Sequence, residues 1–538
     1  MDTLMQEAIR LSDHFLNHEK QYQMGFIEAE QSNPKTRTLD KTFRECPEKG
    51  VRMLLSVDED LVSLYRNTLF SHSFDDFKNA IGKTLARGGK IVLSGCGSTG
   101  RLCMNVERSW RVGVKRSGVD VALGERVLSL MTGGDYAVIR AVENFEDFES
   151  FSRRQAQELG VGLGDLLIGV TATAETTSIL GTAIYAAEQG ADVYMLVCTN
   201  PQNIMGKMER VDRLYTHERV STLYLPCGGM AVTGSTRMQS STIEQAILLS
   251  ALELVLCELS GISCSKERLC EGFEGMIGTL VREDSVSRIA SLASVEKALY
   301  TRGGYVTYFS EGFMLDILTD TTERAPTYAT PPFRPQHCTD EPLSWAFSKN
   351  PALTTSEAWA ECFGREPRCI EWESSYYERE GIYNMRDIGK ARLMEFMIGK
   401  EPDPERERSD SIAVWVDRKP ATAAFDACAS AYRTRTELVY DDPLVETLQD
   451  IFEHLQLKLV MNTVSTASMA MLGRISGNYM TYVSMSNKKL VDRGARIIAD
   501  VCGISYADAL RELYYAHLQC QDTHHSPTQM AIKRLRGE

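Results

Sequence analysis

The segment Gly95–Gly100, with the sequence GCGSTG, has the residue types of a phosphate-binding loop. It lies between an apolar run at Lys90–Ser94, which predicts a buried strand, and a helical pattern that begins at Arg101. Glycines allow a tight turn, and the start of the following helix offers unpaired N–H groups and the positive end of the helix dipole. Because the hydroxyl groups of Ser98 and Thr99 add two donors, we predict that this loop binds a phosphate.

A dinucleotide site is the alternative interpretation, since its loop has the same GxGxxG spacing. Such a site needs an acidic residue at the end of the second strand, about 20 residues further on, to bind the ribose. We place that strand near Val119–Leu123, where no acidic residue stands clearly at the end. The Ser-Thr pair favours a phosphomonoester instead, and we expect no cofactor.

Two later segments share this hydroxyl-rich character. Thr171–Ser178 (TATAETTS) follows a strand predicted at Asp165–Val170, and Thr233–Met238 (TGSTRM) adds an arginine that can pair with a phosphate or a carboxylate. Each segment alone could be a simple helix start capped by a hydroxyl group. Their recurrence favours one shared site, because loops at the carboxyl ends of parallel strands lie at the same edge of a sheet.

Strands that alternate with helices position these loops. Further apolar runs predict strands at 192–198, 304–309 and 411–416, and helical patterns fill 240–300 and the chain from about 445 onward. This alternation predicts right-handed βαβ units and parallel sheets. We therefore predict an α/β protein, preceded by a helix and a polar arm and followed by a helical C-terminal part.

Composition and charge exclude several classes of partner. The net charge of -14 and a pI of about 5.3 leave no basic field for nucleic acid. The most apolar stretch, Ile243–Cys257, is interrupted by Glu244 and Glu253, and no secretory signal is visible, so we expect neither a membrane partner nor secretion. The 14 cysteines form no CxxC pair, which favours free thiols and a cytoplasmic location.

A metal site has weak support. Cys520, His524 and His525 have suitable residue types, but we interpret them as part of a surface tail and expect no metal.

Taken together, these segments resemble the family of the bacterial N-acetylmuramic acid 6-phosphate etherases and the animal glucokinase regulatory proteins, which contain sugar isomerase (SIS) domains. The similar segments are GCGSTGR, GGDYAVIRAVENFED, GVTATAETTS, TGSTRM, LVMNTVSTASMAMLGRISGNYM and the arm SNPKTRTLD. In the etherases TGSTRM runs directly into the NTVSTA helix. Here about 200 residues intervene, an arrangement similar to that of the regulatory proteins.

The resemblance implies two tandem SIS domains of the flavodoxin-like, three-layer kind with a helical lid. The expected division is an N-terminal helix and arm at 1–50, a first SIS domain at 51–285, a second at 286–445 and the lid at 446–538. Because 304–311 has no Gly-x-Gly-Ser-Thr turn, we expect the second domain to be a degenerate copy.

The resemblance also implies a sugar-phosphate ligand, either a hexose phosphate or an N-acetylmuramate phosphate. Matching motif positions give as ligand-binding residues Gly97, Ser98, Thr99, Thr173, Thr176, Ser235, Thr236, Arg237 and Lys458. Lys458 would bring a compact charge from the lid to the phosphate, although a solvated helix lysine is the alternative.

Whether the protein is an enzyme stays open at this stage. The etherases use two glutamates as acid and base; one matches Glu146, but the other position is Ser109. Glu107 should face another direction, since residues two apart on a helix are about 200° apart. Glu175 stands where the etherases have arginine, and it would repel a phosphate unless it binds a sugar hydroxyl.

Two functional hypotheses follow from the resemblance. The first is a non-catalytic sugar-phosphate sensor that regulates a partner such as a sugar kinase. The alternative is an etherase-like carbon–oxygen lyase that releases D-lactate.

Overall fold

The computed structural model describes residues 3–142, 145–383, 385, 387–408, 410–483, 485, 488–520 and 526–537. His524 and His525 lie outside the described residues. All 14 cysteines have free thiols. Within the described part, no group of three or more His, Cys, Asp or Glu side chains is arranged to hold a metal ion. None of the helices found there combines the length and the apolar character of a membrane span.

The N-terminal part is helical. Its helices are α1 (Thr3–His18), α2 (Leu39–Glu45), α3 (Pro47–Leu69) and α4 (His72–Ala86). The polar arm between α1 and α2 is packed against the protein: Asn33 donates a hydrogen bond to the carbonyl of Gly229 (2.8 Å), and Thr36 donates one to that of Ala231 (2.8 Å). The arm therefore supports the chain just before the TGSTRM segment.

The first α/β unit contains a five-stranded parallel sheet. Its strands are β1 (Ile91–Gly95), β2 (Val127–Met131), β3 (Leu166–Thr171), β4 (Asp192–Val197) and β5 (Val220–Tyr224); its helices are α5 (Ser98–Ser117), α6 (Glu149–Glu158), α7 (Thr177–Glu188), α8 (Glu209–Tyr215) and α9 (Gln239–Ser260). The strand order is β2-β1-β3-β4-β5, the flavodoxin-like order. In this sheet the strand order reverses between β1 and β3. The loop after β1 therefore lies at the point where such sheets bind ligands.

The second strand lies later in the chain than the sequence pattern predicts. We predicted it near Val119–Leu123, but Val121–Arg126 forms a 3₁₀ segment and the strand is Val127–Met131. The side chain of Asp120 accepts a hydrogen bond from the amide of Ala122 (2.9 Å), which caps this short helix. Local capping therefore overrides the apolar character of the segment.

The second α/β unit repeats this topology with one strand fewer. It follows α10 (Lys266–Leu280) and α11 (Glu283–Thr301), and contains β6 (Tyr305–Phe309), α12 (Met314–Tyr328), β7 (Ala346–Lys349), α13 (Thr355–Phe363), α14 (Ser374–Arg379), α15 (Lys390–Met394), α16 (Pro404–Arg408), β8 (Ser411–Asp417), α17 (Ala423–Ala429) and β9 (Thr434–Val439). The order is β7-β6-β8-β9 and every pair is parallel. The same order in both sheets indicates two copies of one α/β unit.

The C-terminal part is helical apart from one small hairpin. It contains α18 (Ile451–Met471), β10 (Ile475–Ser476), β11 (Tyr479–Met480), α19 (Lys488–Cys502), α20 (Tyr506–Gln519) and α21 (Pro527–Arg536). Helix α18 is buried along most of its length and contacts α3, α9, α10, α11 and α12. The predicted fold class, α/β with two parallel sheets and a helical C-terminal part, is confirmed. The predicted domain boundaries remain a proposal.

Candidate functional site

The first loop leads from β1 into the N terminus of α5. Gly97 has a φ of +55°, a conformation that glycine adopts without a steric penalty, and Ser98 begins the helix. The hydroxyl group of Thr99 is held inside the loop, because it donates to the carbonyl of Cys96 (2.9 Å) and accepts from the amide of Cys96 (3.0 Å). Thr99 thus shapes the turn at the start of α5, where the first N–H groups of a helix have no partner within the helix itself.

The second loop lies beside the first. Thr132, after β2, donates to the hydroxyl of Ser178 in α7 (2.9 Å), while its amide donates to the carbonyl of Gly95 (3.0 Å). Thr176 shares a hydrogen bond with Thr171 (3.0 Å). Ala174 has a φ of +60°, a left-handed conformation that costs a non-glycine residue about 1–2 kcal/mol. The surrounding structure therefore fixes the strained backbone between the two predicted ligand residues, 173 and 176.

The third loop meets the first through its side chains. The hydroxyl groups of Ser98 and Thr236 are 3.3 Å apart. Ser98 is 7% exposed, and Thr236 is half-buried. The hydroxyl group of Ser235 is buried and has no hydrogen-bond partner among the described residues. An unsatisfied buried hydroxyl group is costly, and a ligand that supplies the missing partner removes that cost.

Arg237 is engaged in a buried network rather than turned toward the other two loops. Its guanidinium group donates to Asp320 (2.5 Å) on α12 of the second unit, and to Tyr328 (3.0 Å) and Thr466 (2.9 Å). In the ion pair with Asp320, the side chain of Arg237 is 2% exposed and that of Asp320 is 1% exposed. In this structure Arg237 joins the third loop to the second unit, and its predicted contact with a ligand stays a prediction.

Lys458 lies beneath the third loop on α18. Its Nζ donates to the hydroxyl of Thr242 (2.7 Å) and to the carbonyl of Arg237 (3.2 Å). Burial lowers the pKa of Lys458 to about 7, although the charge of Asp58 acts in the opposite direction. The solvated-lysine alternative does not describe this buried side chain. Its predicted role in ligand binding is not tested by these contacts.

A different lysine, Lys489, stands at the second loop. Its Nζ donates to the carboxylate of Glu175 (3.0 Å), which also accepts from the hydroxyl of Thr173 (3.0 Å) and from Arg210 (2.7 Å). Burial raises the pKa of Glu175, but Lys489 and Arg210 outweigh it, so the pKa lies below its usual value. Glu175 therefore remains charged and occupies donors that a phosphate could use.

Glu146 lies close to Lys489 and to Glu175 of the second loop. Burial raises the pKa of this half-buried carboxyl group, and the charges of Glu175 and Asp147 raise it further, while Lys489 lowers it. Its carboxyl group also interacts with the thiol of Cys96 in the first loop. Within the described part of the chain no lysine or arginine lies within 4.0 Å of Glu146. Glu146 is thus a carboxyl group poised to exchange a proton or to bind a polar ligand.

A glutamate of the second unit, Glu323, lies near the first loop. Ser109 follows Gly95, the last residue of β1, by 14 residues, and Glu323 follows Phe309, the last residue of β6, by 14 residues. Glu323 pairs with Arg101, and one of its oxygens would lie 3.9 Å from a methyl group placed on Gly97. The equivalent residue of the second unit therefore reaches the first loop.

Ser109 and Glu107 do not supply an acid there. The buried hydroxyl group of Ser109 has no hydrogen-bond partner among the described residues. Glu107 accepts hydrogen bonds from Ser129 (2.6 Å) and from Arg365 (2.9 Å). Burial alone would raise the pKa of Glu107, but Arg365 and Arg368 lower it to about 2. Glu107 therefore belongs to an ion cluster, as its predicted orientation implies.

The third loop is held from behind by an ion cluster. Glu30 of the arm accepts from Arg493 (2.5 Å) and Arg496 (3.0 Å) of α19. A methyl group on Gly234, which has a φ of +74°, would lie only 2.7 Å from Arg493. Glycine is therefore required for this close approach. The cluster places Lys489, four residues before Arg493 on the same helix, at the second loop.

The structure thus brings the first and third loops into contact through Ser98 and Thr236, and Thr132 joins the first loop to the second through Gly95 and Ser178. The ligand-binding roles of Thr173, Thr176 and Ser235 stay predictions. The sequence analysis missed Lys489, Glu323 and the Glu30 cluster. Only the equal 14-residue spacing after the first strand of each unit could have indicated Glu323, and that spacing requires the β6 boundary to be known.

Comparison with known proteins supports the resemblance. Residues 76–187 match the family model of the glucokinase regulatory protein N-terminal SIS domain. An N-acetylmuramic acid 6-phosphate etherase from Aliivibrio fischeri is 31% identical over 173 residues, which are 32% of this chain and 52% of that protein. One from Petrotoga mobilis is 26% identical over 229 residues, which are 41% of this chain and 67% of that protein. The chain spans about half the length of the first of these relatives.

Solved structures show a weaker likeness. Tagatose-6-phosphate ketose/aldose isomerase from Escherichia coli has a TM-score of 0.42 at 10% identity and covers 81% of this chain and 95% of its own. The C-terminal domain of glucosamine-fructose-6-phosphate aminotransferase from Francisella tularensis has a TM-score of 0.42 at 8% identity, covering 78% and 95%. The fold assignment rests on the order of the strands.

Proposed function

From the match of residues 76–187 to the glucokinase regulatory protein N-terminal SIS domain, we propose that this protein binds a sugar phosphate where its three hydroxyl-rich loops meet. The observation that carries the proposal is the contact of Ser98 in the first loop with Thr236 in the third, 3.3 Å apart, at the N terminus of α5. Hydroxyl groups, main-chain N–H groups and the helix dipole suit a phosphate dianion. Lys489 supplies the compact positive charge.

We further propose that the protein is a non-catalytic sensor that regulates a partner, such as a sugar kinase. The main support is Ser109, because a serine hydroxyl is a poor acid near neutral pH. Loss of one positioned acid–base group typically lowers a rate by about 10²–10⁴-fold. The second α/β unit contacts the first through α12 and α18. The position of the second unit relative to the first can therefore change when the site is occupied, and this change would alter the surface offered to a partner.

An etherase-like lyase is the second candidate, and one observation favours it. Glu323 reaches the first loop from the second unit, so two glutamates, Glu146 and Glu323, can flank a bound sugar. Elimination of lactate needs a base for the proton on the sugar carbon beside the carbonyl and an acid for the departing ether oxygen. The named relatives are etherases, and the two readings share one binding site.

Thermal unfolding in the presence of sugar phosphates tests the binding proposal. A ligand that binds only the native state at 100 times its Kd stabilises it by about 2.7 kcal/mol. We expect hexose 6-phosphates or N-acetylmuramate 6-phosphate to raise the Tm, and the double variant Ser98→Ala/Thr99→Ala to lose this shift. Ser117→Ala, at the far end of the same helix, is the matched control and should keep it. Full retention of the shift in the double variant would reject the site.

A lactate assay separates the two candidates. The sensor reading predicts no D-lactate from N-acetylmuramate 6-phosphate beyond the uncatalysed rate. Release at enzymatic rates that Glu146→Gln and Glu323→Gln each abolish would establish the lyase instead.

A further inference from the structure

The loop that carries Glu146 connects β2 to α6 and has little regular structure of its own. It spans 132–148, and its described residues form only two short 3₁₀ turns, Asp135–Val138 and Phe145–Asp147. Loops longer than about 12–15 residues without secondary structure are uncommon in compact domains, and when they are ordered they are usually functional. A loop of this kind must be held in place by contacts from other parts of the molecule.

The apolar side chains of this loop pack into a core that the loop shares with the second α/β unit. This core is separate from the main hydrophobic core, and most of its buried side chains come from the second unit. The loop contributes, among others, Tyr136, Val138, Ile139 and Phe145. The second unit contributes, among others, Trp359 and Ile370. The position of the loop therefore depends on the second unit.

A segment of the second unit, residues 365–377, lies across the loop, and we call it the crosspiece. The amide of Asp135 in the loop donates to the carbonyl of Arg368 (3.1 Å), and the amide of Arg368 donates to the carboxylate of Asp135 (2.5 Å). The guanidinium group of Arg365 donates to both oxygens of the same carboxylate (2.5 and 3.1 Å). One end of the crosspiece is thus joined to the start of the loop by main-chain and ionic contacts.

Further along, the crosspiece packs on the residue next to Glu146. The indole ring of Trp372 stacks on the ring of Phe145, with the centroids 5.7 Å apart and an angle of 26° between the planes. The Nε1 of Trp372 donates to the carboxylate of Glu158 (2.6 Å), and the Cζ atom of Arg154 lies 4.5 Å from the centroid of the indole ring. Trp372 is therefore fixed between Phe145 of the loop and α6 of the first unit.

Phe145 in turn places Glu146 beside the second loop. The 3₁₀ turn Phe145–Asp147 contacts α7, the helix that continues from the second loop at Thr177. The side chain of Phe145 is buried, whereas Glu146 is half-buried. Because the two residues are adjacent in one short turn, a fixed ring of Phe145 limits the positions that the carboxyl group of Glu146 can take.

We propose that the crosspiece is a positioning element of the sugar-phosphate site, in which Trp372 holds Glu146 at the second loop through Phe145. This inference rests on the proposed function, since the position of Glu146 matters for binding only where a sugar phosphate occupies the loops. The second unit thereby contributes to a site whose three loops all belong to the first unit.

Loss of the indole ring would remove the support of Phe145. The loop would then gain conformations in which Glu146 is displaced from the second loop. Because the observed Kd rises as the binding-competent fraction of the protein falls, affinity should decrease without any change in the three loops themselves.

Hydrogen–deuterium exchange of the free protein tests the positioning step without a ligand. In Trp372→Ala, we expect the amides of 145–151 to exchange severalfold faster than in the wild type, because local opening costs less free energy. Trp372→Phe keeps an aromatic ring beside Phe145 and should retain the protection. The matched control is Trp345→Ala, since Trp345 is also a half-buried tryptophan of the second unit and its ring lies 4.6 Å from the Cζ atom of Arg474. Unchanged exchange in Trp372→Ala, or equal acceleration in the control, would overturn the proposal.

A double-mutant cycle on the Kd of a hexose 6-phosphate tests the link to Glu146. In calorimetry, Trp372→Ala and Glu146→Gln should each raise this Kd severalfold, and Trp372→Phe should retain most of the affinity. If Trp372 acts through Glu146, Trp372→Ala should have little effect on a protein that already carries Glu146→Gln, whereas a merely structural role gives additive losses. Additive losses would contradict the positioning role. The absence of binding by the wild-type protein would instead reject the proposed function, while the exchange experiment still decides whether the crosspiece holds the loop.

Discussion

Glu175 already occupies donors that a phosphate would use in the second loop. Its carboxylate accepts from Thr173 (3.0 Å) and from Lys489 (3.0 Å), so a phosphate must compete with it. Replacement of Glu175 by glutamine keeps the size but removes the charge, which frees Lys489. We expect Glu175→Gln to bind a sugar phosphate on the order of tenfold more tightly, about 1.4 kcal/mol, by isothermal titration calorimetry.

Replacement of Lys489, which contacts the same loop, should have the opposite effect on sugar-phosphate binding. Lys489→Met should weaken sugar-phosphate binding by tenfold or more, because a charge-assisted hydrogen bond contributes about 1.5–3 kcal/mol. The adjacent Lys488, whose Nζ pairs with Glu19 (2.6 Å) and whose side chain is 52% exposed, provides the control Lys488→Met. Equal losses in the two variants would show that only the overall charge of α19 matters.

The carboxyl group of Glu146 makes stability depend on pH. Because burial raises its pKa in the folded protein above the ordinary 4.5, the folded state holds this proton more tightly than the unfolded state. The stabilising effect is complete below pH 4.5 and is lost as the pH rises through the raised pKa. Glu146→Gln stays neutral, so its stability relative to wild type should increase as the pH rises from about 4 to 8.

Urea unfolding at several pH values measures this difference. Glu146→Gln could already have its full gain in the free energy of unfolding at pH 4, or it could lose stability relative to wild type as the pH rises. Either result would contradict a raised pKa of Glu146.

At the residue scale, the sequence predicts the loops better than the charges around them. Ser98 and Thr236 were predicted from local patterns, since the strand, turn and hydroxyl groups are adjacent in sequence. Lys489 and Glu323 could not be found this way, because each reaches the loops from another unit. Arg237 has the residue type of a phosphate ligand, yet burial beside Asp320 gives it a structural partner.

At the scale of elements, the loop after β6 shows why the second unit differs from the first. The carboxylate of Asp417, the last residue of β8, accepts from the hydroxyl of Ser310 (2.8 Å) and from the amide of Glu311 (3.3 Å). On its other side the amide of Arg418 donates to it (2.7 Å). A side chain of the protein thus takes the place at this sheet edge that an anion would need.

This contact predicts that each chain binds one sugar phosphate. Calorimetry should give a stoichiometry near one, and Asp417→Ala should lower the free energy of unfolding by about 2–4 kcal/mol, because it leaves several buried donors unpaired. Asp417→Asn keeps an acceptor oxygen and should cost less. A stoichiometry of two for the wild-type protein would contradict this account.

The strands that the sequence predicts are those buried on both faces. β1, β3, β4, β6 and β8 lie inside their sheets and read as apolar runs. The missed strands include the edge strands β5 and β9, whose sequences VSTLY and TRTELV contain consecutive exposed polar residues, and β7, which has only four residues. Pairing with a neighbour, rather than local pattern, makes these segments strands.

At the scale of the whole molecule, α18 joins the two α/β units into one core. It packs against α9 and α3 of the first unit and against α11 and α12, which flank the second sheet. The Arg237–Asp320 ion pair crosses the same boundary in a fully buried position. We therefore expect one cooperative unfolding transition in differential scanning calorimetry, and two separate transitions would contradict this.

Loss of the buried Arg237–Asp320 ion pair should lower the stability of the protein by a measurable amount. Arg237→Met should lower the free energy of unfolding by about 3–5 kcal/mol, because it leaves a buried charge partly uncompensated. The exposed pair of Arg52 with Glu283 (2.6 Å), which links α3 to α11, is the matched control. Arg52→Met should change the free energy of unfolding by no more than about 1 kcal/mol, and a loss equal to that of Arg237→Met would reject the reasoning.

The location of a bound sugar phosphate tests the central claim most directly. In a crystal soaked with a hexose 6-phosphate, we expect the phosphate at the N terminus of α5, with its oxygens about 3 Å from the hydroxyl groups of Ser98 and Thr236 and near Lys489. A phosphate bound elsewhere, with the junction of the three loops unchanged and empty at saturating ligand, would contradict the account.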